Sequence, residues 1–112
     1  MIQTGGEDVF KSLLPVLDDF ERAIKSNADT ADIETVKEGV ELIFNKLKTT
    51  LNQKGLKAME TVGESFDSDL HEAITNIAAP SEDMKGKVVD ELEKGYTLNE
   101  KIIRFAKVVI GN

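Results

Sequence analysis

Apolar residues recur every three or four positions through the first half of the chain, a spacing that is typical of amphipathic helices. The first such stripe extends from Val9 to Ile24. Pro15 lies inside it, and because proline removes one backbone hydrogen bond of a helix, we expect a kink near Ser12 to Pro15. The pattern therefore predicts a helix that is bent rather than interrupted.

A second apolar stripe follows a short polar stretch and extends from Ile33 to Leu51. Asp32 precedes it and can accept hydrogen bonds from the first backbone amides of a helix. Lys54 and Gly55 mark its end, because a cation suits the negative end of a helix and glycine adopts the left-handed cap without strain. The first half of the chain therefore predicts a helical hairpin.

The period shortens after the second helix, and the rest of the chain predicts strands separated by polar loops. A short strand is expected from Leu56 to Ala58, with an extension to residues 60–62 left open, and another over residues 70–77; residues 86–98 suggest a further strand and a hairpin around Asn99 and Glu100. Loop chemistry separates them at residues 63–69 and 80–84, where glycine, serine, proline and acidic residues accumulate. A small sheet of several short strands is the expected result.

Residues 102–110 predict the strongest strand, since they are rich in β-branched side chains. Apolar side chains fall on both of its faces, so we expect a central strand, joined to the preceding one by a turn at Asn99 and Glu100. Helices followed by strands predict an α+β fold with segregated parts. We expect one domain over residues 1–55 and a small C-terminal β-domain over 56–112.

A hairpin of two helices has too little surface of its own to cover both apolar stripes. The missing surface can come from the sheet or from a second copy of the chain. The length of the stripes favours a dimeric four-helix bundle, so we predict a homodimer. Its seam is expected to include apolar residues of both helices: Leu13, Leu17, Phe20, Val40, Phe44 and Leu47.

Composition excludes several classes of function. The 14 basic and 21 acidic side chains give a net charge of −7, which opposes binding to nucleic acid or to an anionic membrane. The chain has no cysteine, which excludes disulfides, thiolate catalysis and cysteine zinc sites. No apolar run could span a bilayer and no leader-like segment opens the sequence, so a cytoplasmic location and a protein partner are expected.

The charge is distributed unevenly along the β-domain. Residues 56–93 carry 3 basic and 10 acidic side chains, whereas residues 94–112 carry 4 basic and 1 acidic. The four cations of the second segment could pair with the acidic segment across the sheet, each pair contributing at most about 1 kcal/mol. They could equally form a docking surface for an acidic partner. The sequence leaves both interpretations open.

One cluster offers candidate catalytic or metal-binding chemistry: Asp67, Asp69, His71 and Glu72. In an extended segment the first three would share a face and could hold a divalent ion. The Asp-Ser-Asp sequence is also common in turns, and no second histidine or calcium-loop spacing accompanies it. We therefore favour a structural turn with a hydrogen-bonded histidine, and expect no enzyme activity, metal or cofactor.

Four separated motifs resemble the GrpE family, in the order in which that family has them. They are residues 13–23 (LLPVLDDFERA), 38–43 (EGVELI), 66–73 (FDSDLHEA), and 94–98 (KGYTL) with 103–108 (IRFAKV). The resemblance implies that the chain begins near the end of a long helix. It further implies a short four-helix bundle made by two chains, and a compact β-domain that contacts the ATPase domain of the chaperone DnaK.

The resemblance also implies a function and its residues. GrpE proteins are nucleotide exchange factors, co-chaperones that accelerate ADP release by stabilising the open ATPase domain of DnaK. Gly39 resembles a glycine of the bundle, and Lys101 stands where the family commonly has arginine. An acidic dimeric adaptor with another partner is the alternative on the same scaffold. The implied chaperone-binding residues are Arg22, Phe66, Leu92, Lys101, Arg104 and Ile110.

Overall fold

The computed structural model describes residues 6–112, and the chain divides between Lys54 and Gly55 into two compact units. The first unit is a pair of helices and the second consists of short strands. The α+β class and the order of a helical hairpin followed by a β-domain are therefore confirmed. The four-helix bundle stays a prediction, because it requires a second copy of the chain.

The helical unit consists of α1 (Glu7–Ser26) and α2 (Ile33–Gln53). α1 continues through Pro15, and the bend expected there stays a prediction. The cap of α2 is the predicted one, since Asp32 Oδ1 accepts a hydrogen bond of 3.1 Å from the Glu34 amide. In the part of the chain that the structure describes, no helix is long and apolar enough to cross a membrane.

The two helices bury little between them. Val16 and Ile43 are the buried residues of α1 and α2. A surface ion pair also joins the helices, with Lys46 Nζ 2.7 Å from Asp19 Oδ2. Most large apolar side chains of both stripes therefore remain exposed.

The β unit contains two three-stranded sheets, in the orders β1-β4-β5 and β2-β6-β3. The first is antiparallel throughout, while in the second β6 is central, parallel to β2 and antiparallel to β3. The expectation of a central C-terminal strand is thus confirmed for β6. The strands are β1 (Leu56–Ala58), β2 (His71–Ile77), β3 (Val88–Glu93), β4 (Tyr96–Leu98), β5 (Lys101–Arg104) and β6 (Ala106–Gly111), with a 3-10 helix at Glu82–Met84.

The prediction of one continuous strand over residues 102–110 is wrong. The chain leaves strand geometry at Phe105, so that β5 belongs to one sheet and β6 to the other. β-Propensity records how well a residue suits a pleated surface, but it does not identify the partner strand. The turn at Asn99 and Glu100, with φ of 50° and 72°, pairs β5 with β4, while β6 pairs with β2 and β3.

The core of the β unit is a cluster of fully buried side chains, Val88, Ala106 and Val108. Met59 and Phe66 pack against it from the loops that flank the strands. Gly95 allows the backbone at residue 95 to lie close to the backbone at Ala106. A Cβ on residue 95 would lie 2.6 Å from the Ala106 nitrogen. The core of the β unit therefore lies on β3 and β6.

Candidate partner-binding site

The β4–β5 hairpin presents a lysine beside its turn. Asn99 and Glu100 both have positive φ, the geometry of a tight two-residue hairpin, and Lys101 follows immediately. The turn is tied to the start of the unit, since the Asn99 amide donates a hydrogen bond of 3.0 Å to the Gly55 carbonyl. Lys101 is exposed and forms no ion pair within residues 6–112.

Arg104, at the end of β5, is held on three sides. Its Nε donates a hydrogen bond of 2.8 Å to the Lys94 carbonyl, and its Nη1 lies 3.1 Å from Glu93 Oε1. The guanidinium carbon lies 5.3 Å from the centre of the Tyr96 ring, within cation–π range. Arg104 is therefore engaged within its own unit, although about half of its side chain remains accessible.

The other two cations of the segment are also paired. Lys107 Nζ lies 3.4 Å from Glu93 Oε2, so one carboxylate serves both Lys107 and Arg104. Lys94 Nζ lies 3.1 Å from Glu91 Oε1. Three of the four cations therefore form ion pairs within the β unit. Lys101 is the one that could still dock an acidic partner.

The predicted binding residues of the β unit fall into two groups. Leu92 is exposed on β3 and adjoins Glu93, which pairs with Arg104; Lys101 lies on the same strand as Arg104. Phe66 is half-buried against the core, and Ile110 is the strand partner of Val88 in that core. Leu92, Lys101 and Arg104 are exposed, whereas Phe66 and Ile110 are half-buried.

Arg22 lies in the helical unit, on the exposed side of α1. Its Nη1 is 3.0 Å from Asp19 Oδ1, and the other oxygen of that carboxylate accepts from Lys46. The hydrogen bond from Lys46 is the main cause that holds the pKa of Asp19 below its ordinary value, with Arg22 contributing. Arg22 is thus oriented by a carboxylate that is itself held to α2.

The predicted dimer seam is an apolar face with little covering it. Phe44 is 56% exposed, and Gly39 has no neighbour within 4 Å of the position that a Cβ would occupy. Exposed apolar side chains also extend the stripe beyond the predicted residues, to Phe10 and Ile24. Of the predicted seam residues, Leu17, Phe20, Val40 and Phe44 are exposed, whereas Leu13, Gly39 and Leu47 are half-buried.

The carboxylate and histidine cluster is a turn. His71 is only 5% exposed, and its Nδ1 accepts a hydrogen bond of 3.1 Å from the Asp67 amide. Asp67 Oδ1 in turn accepts one of 2.9 Å from the Asp69 amide. These hydrogen bonds are the ones expected of a structural turn with a bonded histidine. Within residues 6–112, no group of three acidic, histidine or cysteine side chains is placed so that it could hold a metal ion.

A buried polar contact in the β unit has no signature in the sequence. Thr61 is 3% exposed and its hydroxyl donates a hydrogen bond of 2.5 Å to Glu91 Oε2. Burial alone would raise the pKa of Glu91, but the hydrogen bonds from Thr61 and Lys94 outweigh it and hold the pKa below its ordinary value. No local pattern identifies this pair, because 30 positions separate the two residues.

Comparison with known proteins gives a consistent result. The model of the GrpE family matches residues 1–112. Curated relatives named Protein GrpE include those of Bacteroides thetaiotaomicron, 54% identical over 99% of this chain and 58% of the relative, and Parabacteroides distasonis, 53% identical over 99% and 57%. That of Latilactobacillus sakei is 33% identical over 98% of this chain and 55% of the relative. The chain therefore spans a little over half the length of these relatives.

Proposed function

This chain belongs to the GrpE family, and on that premise we propose that it acts as a nucleotide exchange factor, a co-chaperone that accelerates ADP release from a DnaK-type chaperone. The observation that carries the proposal is the family match over the full chain, which includes both the helical face and the hairpin that presents Lys101. The role requires no catalytic residue, only a surface that distinguishes two states of the partner.

The mechanism follows from differential affinity. A protein that binds the open ATPase domain more tightly than the closed one shifts the partner toward the open state, from which ADP leaves faster. Linkage makes the effect reciprocal, so that nucleotide binding weakens the complex by the same factor. ATP would therefore release the exchange factor after ADP has left.

Within the β unit, Leu92 and Lys101 are the residues proposed to contact the chaperone. Both are exposed, and Lys101 makes no ion pair within residues 6–112, so binding need not break an existing contact. Arg104 holds β5 through its contacts with Glu93 and Tyr96, while Phe66 packs against the core and Ile110 is the strand partner of Val88. The hairpin is thus held by contacts within its own unit, which suits a surface that must hold two lobes of a partner apart.

The helical unit is proposed to form a homodimer through a four-helix bundle. The many exposed large apolar side chains of both helices support this, because paired helical hairpins bury such stripes in a bundle. Arg22 is proposed as a second chaperone contact, oriented by Asp19.

The test is the rate at which fluorescent ADP leaves a DnaK ATPase domain. We expect the 112-residue chain to accelerate release, and the double variant Leu92→Asp, Lys101→Glu to lose at least about ten-fold of the acceleration. Lys85→Glu, beside the 3-10 helix, makes the same charge change as Lys101→Glu alone and should retain the acceleration. An unaltered rate in the double variant would reject this contact surface, and no acceleration by the parent chain would reject the function.

The alternative function is an acidic dimeric adaptor, favoured by the net charge of −7. The two functions differ in their response to nucleotide. Binding to a DnaK ATPase domain that is reversed by ATP supports the exchange factor, whereas a complex that is indifferent to nucleotide supports the adaptor.

A further inference from the structure

One strand of the β unit has an unpaired backbone edge. β2 has seven residues and lies at the edge of the β2-β6-β3 sheet, with β6 on one side. Residues 72–77 are all exposed, including Ile74 and Ile77. Both faces of this strand and its outer backbone groups are therefore open to a ligand.

This edge lacks the protection found at the other edges of the unit. Proteins commonly block edge strands with lysine, proline, short length or a covering loop. β1 and β5 have three and four residues. The start of β3 is covered, since Val88 donates to the Glu64 carbonyl and accepts from the Gly63 amide. β2 contains neither lysine nor proline, and Glu72 is its one charged residue.

The segment that contains β2 has charge of a single sign. Residues 58–84 include seven acidic side chains and no lysine or arginine. Within residues 6–112, only Glu82 of the seven forms an ion pair, with Lys85. Beside the start of β2 lies a shallow depression of about 660 Å³, lined in part by Glu60, Glu64 and Asp67. The segment that contains the free edge of β2 therefore carries acidic side chains, six of which form no ion pair within residues 6–112.

We propose that β2 docks an extended, basic protein segment by strand addition. Backbone hydrogen bonds to the outer edge of β2 would supply affinity, and apolar side chains of the segment would meet Ile74 and Ile77. Lysine or arginine residues of the segment would complement Asp69 and Glu72. This surface goes beyond the proposed exchange function, whose contacts in the β unit lie on the hairpin and on β3.

The test uses a nonapeptide that alternates lysine with valine, titrated into the full 112-residue chain and followed by backbone amide NMR. We expect saturable shifts centred on residues 71–77 and weaker binding at high salt. A matched peptide with alternate backbone amides methylated cannot form the ladder and should bind about ten-fold more weakly or worse. Equal binding of the methylated peptide, or shifts centred on α1 and α2, would overturn the proposal.

Charge reversal supplies the second arm. The double variant Asp69→Lys, Glu72→Lys changes exposed side chains that form no ion pair within the described residues, so the fold should survive, as amide spectra would show. It is expected to bind the peptide about ten-fold more weakly, while Glu38→Lys, on the exposed side of α2, stays within about two-fold. Peptide affinity that is unchanged in the double variant would contradict electrostatic recognition.

A second copy of the chain is the other possible occupant of this edge. If the peptide fails to bind and the amides of residues 71–77 shift with protein concentration, the edge is a self-association surface and the proposal is wrong. The exchange assay reads a different surface, so its result and this one can fail separately.

Discussion

The two units of this protein differ in how far they bury their large apolar side chains. The β unit encloses Val88, Ala106 and Val108 completely, whereas α1 and α2 bury Val16 and Ile43 and leave Phe10, Phe44 and other large apolar residues exposed. Burial of apolar area is the main favourable contribution to folding. The β unit therefore carries its own core, whereas the helical unit leaves exposed most of the apolar residues that are proposed as the dimer seam.

A charged side chain in the core of the β unit should have the largest effect on stability. Val108→Asp places a carboxylate at a fully buried position among apolar side chains, and we expect the β unit to lose about 4 kcal/mol or more of stability. Amide spectra should lose the dispersed signals of residues 55–112. Ile103→Asp, at an exposed strand position, is the matched control and should change stability little. Retention of a folded β unit in Val108→Asp would show that its core is not where stability resides.

The helical unit should respond to concentration rather than to core mutation alone. Phe44→Glu puts a charge in the proposed seam, and we expect dimer affinity to fall by about 2 kcal/mol or more. Leu42→Glu, on the same helix but outside the predicted seam, is the control. Sedimentation velocity at several concentrations measures the effect. A parent chain that sediments as a monomer throughout would contradict the dimer.

Removal of the Thr61 hydroxyl should have a smaller effect on the stability of the β unit. Thr61→Val keeps the shape of the side chain but removes the hydroxyl that bonds Glu91, and we expect a loss of about 1–2 kcal/mol at neutral pH. Thr75→Val, at an exposed position of β2, provides the comparison.

The pH dependence of Thr61→Val tests the cause. The pKa of Glu91 is lowered in the folded state, so its carboxylate stabilises the fold above the pKa of an unfolded glutamate, and that stability is lost as the pH falls through the lowered value. Urea unfolding should therefore show a larger difference between parent and variant at pH 7 than near pH 3. A difference independent of pH would assign the effect to packing.

Sequence patterns predicted the local elements well. Both helices, the Asp32 cap, the turn at Asn99 and Glu100, and the bonded histidine depend on nearby residues, and each appears in the structure. The error at Phe105 arose because propensity treats residues 102–110 as one run, while the division into two sheets depends on distant partners. The chaperone contacts implied by family resemblance, from Arg22 to Ile110, remain predictions.

The sequence alone was enough to predict the class of each half, because the spacing of apolar residues, the helix caps and the turn residues act over a few positions. It was also enough to identify the family, because the family motifs are stretches of sequence. The tertiary structure determines which cations are paired and which carboxylate is half-buried. Glu93 on β3 meets Arg104 on β5 and Lys107 on β6, and Thr61, in the loop after β1, meets Glu91 on β3. The physical reason is that ion pairs and buried hydrogen bonds depend on distances of a few ångströms, which strand register and packing set.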